Sequence, residues 1–131
     1  MIDFDIIAKH MCIVAVWADC EDKNPQVTKK ALASARKYAE AFVKAYPKLS
    51  RQVLAVEGYG SHPDSGSPEA AFGHDLYLTA RGHGVGFWDR KELEDNGLGD
   101  AISKPLRDDF RKWYIEAESS RGWLYLRTNI E

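Results

Sequence analysis

The sequence predicts an α+β domain on three observations. Three stretches carry apolar residues at helical spacing, two aromatic-rich runs flank a glycine turn as in a β-hairpin, and a last run alternates like a strand. The expected architecture is about three main helices packed on one face of a small three-stranded antiparallel sheet, made from the hairpin and the C-terminal strand. With 131 residues the chain fits a single domain over 1–131, long enough to bury a core without staples. Its 44% apolar and 29% charged residues are ordinary globular proportions and exclude wholesale disorder.

Ile6, Ile7, Met11, Val14 and Trp17 keep helical spacing, predicting a first helix from about Asp3 to Cys20, ended by Glu21 to Pro25. A second helix runs from Thr28, a capable N-cap, to Tyr46, with Pro47 as its stop signal. At 100° per residue, Leu32, Ala35, Ala39, Phe42, Val43 and Tyr46 gather on one side, and Lys29, Lys30, Arg36, Lys37 and Lys44 on the other. Such a basic stripe is a solvated face or a contact surface for phosphate or acidic protein. Ser50 to Glu57 reads as a short helix or an extended segment ended by Gly58 and Gly60, and the loop to Pro68 contains a turn at His62 to Gly66. His62 reads as a loop histidine.

The hairpin expectation rests on alternation from Asp75 to Ala80, turn residues Arg81-Gly82-His83-Gly84, and a second run from Val85 to Arg90. With Gly82 and His83 at the turn, Leu76, Leu78, Ala80, Val85 and Phe87 face the core. Tyr77 then opposes Trp88 and Asp75 opposes Arg90 on the outer face. Lys91 to Gly99 reads as a turn-rich connection. Ile102, Leu106, Phe110, Trp113 and Ala117 form one ridge of a last helix from about Asp100 to Glu118, with Pro105 in its first turns and Ser103 as an alternative cap. Trp123 to Arg127 has the alternation of a strand.

Cys12 and Cys20 fall roughly 12 Å apart in the first helix, too far for a disulfide, and read as buried, reduced thiols. The run Met11 to Ala18 is far short of the roughly 20 residues needed to cross a bilayer, and the acidic N-terminus is unlike a signal peptide. The expectation is a cytoplasmic protein with no membrane contact. The net charge of −2 is polarised: from Lys23 to Leu54 eight basic residues face Glu40 alone, a net of +7, and the remainder carries −9.

His74, Asp75, His83 and Asp89 have the chemistry of ligands or of acid–base groups. Within a hairpin arm, His74 and His83 lie roughly 25 to 30 Å apart, which rules out a shared metal, and no metal or cofactor is expected. His74 and Asp89 fall as diagonal neighbours, and a histidine with a carboxylate is the unit of general base catalysis. Hydrolase or nuclease chemistry by His74 with Asp75 or Asp89, with or without a divalent metal, is therefore one alternative, a structural histidine the other. His83, between glycines at the turn tip, is expected to be exposed.

The residues Gly73, His74, Asp75, Leu78, Thr79, Gly82, His83, Gly84, Gly86, Phe87, Trp88, Asp89 and Arg90 make the pattern Gly-His-Asp, Leu-Thr, Gly-His-Gly-x-Gly-Phe-Trp-Asp-Arg. It resembles a family of small phage- and plasmid-borne proteins, over about 20 residues, with weaker similarity in element order around them. The lysine-rich second helix and Ala80-Arg81 depart from the family pattern. The resemblance implies a mobile-element setting and carries no reaction with it. The leading expectation is a noncatalytic accessory protein that binds a host or defence-system complex, an anti-CRISPR-like inhibitor among the options. Lys29, Lys30, Arg36, Lys37, Lys44, Arg81 and His83 would make the contacts. Direct nucleic-acid binding through the basic second helix is a further alternative.

Overall fold

The computed structural model describes residues 1–61 and 66–130. It is an α+β fold with six α-helices and a three-stranded mixed sheet among those residues. Helix α1 (Phe4–Asp19) starts at Asp3, whose carboxylate accepts the Asp5 and Ile6 amides, and α2 (Lys29–Ala45) starts at Thr28, whose hydroxyl accepts the Ala31 amide. Both follow their expected spans. Pro47 does not stop the chain but opens α3 (Pro47–Leu54), because a proline at the first helical position gives up an amide that would have no partner there anyway.

The expected hairpin over 75–90 is absent. Residues Pro68–Arg81 form α4, capped by the Ser67 hydroxyl on the Ala70 amide and closed by Gly82 at φ +74, where the Gly82 and His83 amides return to Thr79 and Leu78. From Ala70 to Thr79 every residue except His74 is buried. A helix covered on nearly all sides has no polar face, so Asp75 to Ala80 mimics the two-residue period of a strand. The chain continues through a 3-10 turn, Phe87–Asp89, a short α5 (Lys91–Glu94) and α6 (Leu98–Asp108).

The last helix therefore stops ten residues short of its expected end at Glu118. Ile102 and Leu106 are buried on α6, with Pro105 and Ser103 inside it, while Phe110 is exposed and Trp113 enters the core from a turn. Ala117 belongs to β2 (Ile115–Ser120), which pairs antiparallel with β3 (Trp123–Thr128). Arg121 and Gly122, at φ +53 and +83, link them, the two positive values that a two-residue hairpin turn requires. On the far side of β3 lies β1 (Gln26–Val27), running parallel to it, so the sheet is mixed rather than antiparallel.

Leu124 and Ile115 point into the core, and Trp123, Tyr125 and Arg127 point outward, Arg127 bridging Glu116 and Glu118 across the pair. An aromatic cluster fills the centre. Phe42 meets Tyr46, Phe72 and Trp113, Phe72 meets Phe87 edge-on, and the Tyr38 hydroxyl donates to the Trp113 carbonyl at 2.6 Å. Cys12 and Cys20 are buried free thiols, and burial pushes Cys12 up to about 12. No helix among the described residues is long and apolar enough to cross a membrane. The turn expected at His62 falls on residues 62–65, outside the described residues.

Candidate functional site

Helix α4 and the turn after it carry the Gly73 to Arg90 motif, and the turn is folded back onto the helix by that motif's own polar groups. The Thr79 hydroxyl accepts the Phe87 amide at 3.1 Å, and a Cβ on Gly86 would lie 2.2 Å from that hydroxyl. Asp89 accepts the Gly86 amide at 2.7 Å. Phe87 is thereby seated in the core, while Trp88 lies beneath the Arg107 guanidinium at 5.6 Å. Gly73 lets α4 touch α1, since a Cβ there would meet the Ile7 carbonyl oxygen at 2.4 Å.

Three polar groupings hang on α4. Asp75, 1% exposed, accepts two nitrogens of Arg90 at 2.9 and 3.0 Å and the Tyr59 hydroxyl at 2.7 Å. Burial raises its carboxyl above the ordinary value, and Arg90 and Tyr59 pull it only part of the way back. One turn on, Asp19 at the end of α1 accepts the Tyr77 hydroxyl, His83 Nε2 at 2.9 Å and Arg81 Nε at 3.3 Å. Burial pushes Asp19 up as well, but the Tyr77 bond and the charges of His83 and Arg81 outweigh it and leave the carboxyl below its ordinary value. Third, His10 Nδ1 on α1 lies 3.1 Å from His74 Nε2 on α4, with both rings half-buried.

These positions correct several expectations. Asp75 does meet Arg90, but from a helix to the turn beyond it rather than across two strands. Tyr77 is fully buried rather than on an outer face, and Val85 is exposed rather than core-facing. His83 is not a free turn tip: its side chain is 31% exposed and held by Asp19. His74 and Asp89 are not diagonal neighbours, because no strand carries them. His74 faces His10, Asp75 faces Tyr59 and Arg90, and Asp89 caps Gly86. The 25 to 30 Å once expected between His74 and His83 also disappears, since helix advances only about 1.5 Å per residue.

On α2, Lys29, Lys30, Lys37 and Lys44 are exposed as the periodicity requires. Arg36 is engaged, paired with Asp5 on α1 and with Glu40 at 3.2 Å. A second exposed feature adjoins the motif. Trp17, expected on the apolar face of α1, is 72% exposed, with Ile13 at 43%, Val27 at 38% and Val85 at 45%. Trp17 is the shared wall of two surface depressions of about 510 Å³ each. One is lined by Ile13, Val16, Lys23, Pro25 and Val27; the other by Leu78, Val85, Gly86 and the charged groups Asp75, Asp89 and Arg90. The Lys23 ammonium fixes that end of α1 by donating to the Trp17 carbonyl at 3.1 Å.

The sequence held one signal for Trp17. At 100° per residue, Ile6, Ile13 and Trp17 form a second apolar stripe on α1, about 140° around the helix from the stripe centred on Met11. A helix with two apolar stripes on a small domain leaves one of them outside. Asp19, His10 and Tyr59 gave no such signal. Among the described residues no group of three or more His, Cys, Asp or Glu is placed to hold a metal ion. In comparisons with family models, curated proteins and solved structures, none matches this chain.

Proposed function

We propose that this chain is a noncatalytic accessory protein of a phage or plasmid that acts in the host cytoplasm by binding a host macromolecule, with an anti-CRISPR-like inhibitor as the most specific form of that reading. One observation carries the binding role. Asp75, Thr79, Asp89 and Arg90 of the motif are engaged in holding α4 and the turn after it, while a large aromatic residue beside them, Trp17, is left in solvent between two depressions. Trp is the residue type most enriched among those that dominate binding energy, and an exposed apolar patch of this kind marks an interaction surface. The lysines of α2 add a positive field that would steer an acidic or phosphate-bearing partner.

The hydrolase or nuclease alternative, His74 with Asp75 or Asp89, no longer has the hairpin geometry that made His74 and Asp89 diagonal neighbours. Direct nucleic-acid binding keeps the exposed Lys29, Lys30, Lys37 and Lys44 in its favour, and a steep fall of affinity with salt would be its signature. The test is a nuclease-treated affinity capture from host lysate with the native protein, Trp17→Glu, and the pair Lys30→Glu/Lys37→Glu. A specific protein retained by the native chain and lost with Trp17→Glu supports the reading. Retention by both variants removes the Trp17 face and the lysines from it together.

A further inference from the structure

We propose that His10 and His74 form a two-histidine seat for a divalent late first-row transition ion such as zinc, nickel or copper. The facing atoms, His10 Nδ1 and His74 Nε2, stand 3.1 Å apart. Two imidazoles on one zinc at about 2.0–2.1 Å each and a tetrahedral angle place their nitrogens about 3.3 Å apart, and a right-angled copper or nickel site places them about 2.9 Å apart. The observed separation lies between those values. An ion therefore enters with little change in the separation of the two nitrogens, taking the place of the contact between them.

The pair is also set on rigid supports. Each histidine lies within a long helix, and the two helices meet through Gly73, next to His74, whose missing side chain admits the α1 backbone at Ile7 and Met11 and the Cβ of His10. Glycine is disfavoured within a helix relative to alanine, so this close approach is held against local preference. Sites carried on helices hold their geometry better than sites on loops. Neither ring is fully buried, so solvent reaches the pair. The expectation of no metal weighed His74 only against His83 and the hairpin aspartates, and α1 supplies the partner that those lacked.

The experiment is calorimetric titration of tag-free, chelator-stripped protein with Zn²⁺, Ni²⁺ and Cu²⁺. One ion per chain is expected, with affinity weakened at least about tenfold by His10→Ala and by His74→Ala and unchanged by His83→Ala. No binding up to about 1 mM, or equal binding by the native protein and both alanine variants, overturns the proposal. Should either alanine variant fail to fold, His10→Gln keeps a hydrogen-bonding side chain and takes its place. Electron paramagnetic resonance of the Cu²⁺-loaded native protein should then show coupling to two imidazole nitrogens, reduced to one in His10→Gln; a native spectrum without imidazole coupling would count against the site.

Discussion

Asp75 and Asp19 are held in the same way, each by a tyrosine hydroxyl and an arginine, and yet their carboxyls move in opposite directions. Asp75 is nearly sealed, so the loss of hydration outweighs Arg90 and Tyr59 and the carboxyl is raised. Asp19 has a side chain 13% exposed and gains His83 as a third donor, and its carboxyl is lowered. Two things differ, the access of solvent and the third partner that only Asp19 has. The inner trio fastens the turn after α4 to the helix at a cost in ionisation, and the outer group of four ties α1 to the end of α4 with a carboxylate that is comfortable ionised.

The sharpest break of that comparison is Arg90→Met, which keeps much of the side chain's volume and strands Asp75 in the interior with Tyr59 alone. Removing one partner of a buried pair costs about 3–5 kcal/mol. Asp75 is already raised above 3.8, and without the cation it rises further. A raised carboxyl favours the folded state below its unfolded value and withdraws that support as pH rises through the folded value. The variant's deficit in chemical denaturation should therefore be large at neutral pH and shrink on acidification toward about pH 4. Adding Asp75→Leu should restore most of the stability at neutral pH. A deficit independent of pH would mean that packing, not charge, holds the turn.

A smaller effect is expected where the turn meets α4 without charge. In Gly86→Ala the new methyl meets the Thr79 hydroxyl, which is fixed by the Phe87 amide. Overpacking of this kind costs about 1–3 kcal/mol. Thr79→Ala alone leaves the Phe87 amide without its acceptor, at a cost of about 1–3 kcal/mol. The double variant should cost less than the two single variants together, because the clash and the bond share one oxygen. Denaturation midpoints of the four proteins measure that coupling; strict additivity would show that Gly86 is chosen for another reason.

The same contrast explains what the sequence could and could not reveal. Thr28 and the one-sided periodicity of α2 announce that helix, and the exposed lysines follow from it. Trp123 to Arg127 reads as a strand because one of its faces is wet. Helix α4 is buried nearly all round, and with no wet face its period vanishes, so glycines that end a helix and support a turn resembled hairpin punctuation. The ridge from Ile102 to Ala117 continues in spacing through Asp109, where the helix ends and the chain turns toward β2. Within the candidate site, Asp75 and Arg90 lie close enough in sequence to be paired under the wrong geometry. Asp19 meets Tyr77 and His83 across 58 and 64 residues, a separation that no local pattern bridges.

Asp19→Asn should have the smallest effect, and its pH dependence should run opposite to that of Arg90→Met. Asparagine keeps an acceptor for the Tyr77 hydroxyl but loses the charge that Arg81 and His83 face, at about 1 kcal/mol near neutral pH. A lowered carboxyl contributes stability that is present above its unfolded value, near 3.8, and is lost as pH falls through the folded value. The native protein should therefore lose this contribution below about pH 4, while Asp19→Asn, having none to lose, shows a flatter acid limb and approaches the native curve from below. Parallel stability curves for the two proteins would place Asp19 outside the acid transition and remove the contrast between this pair of carboxylates.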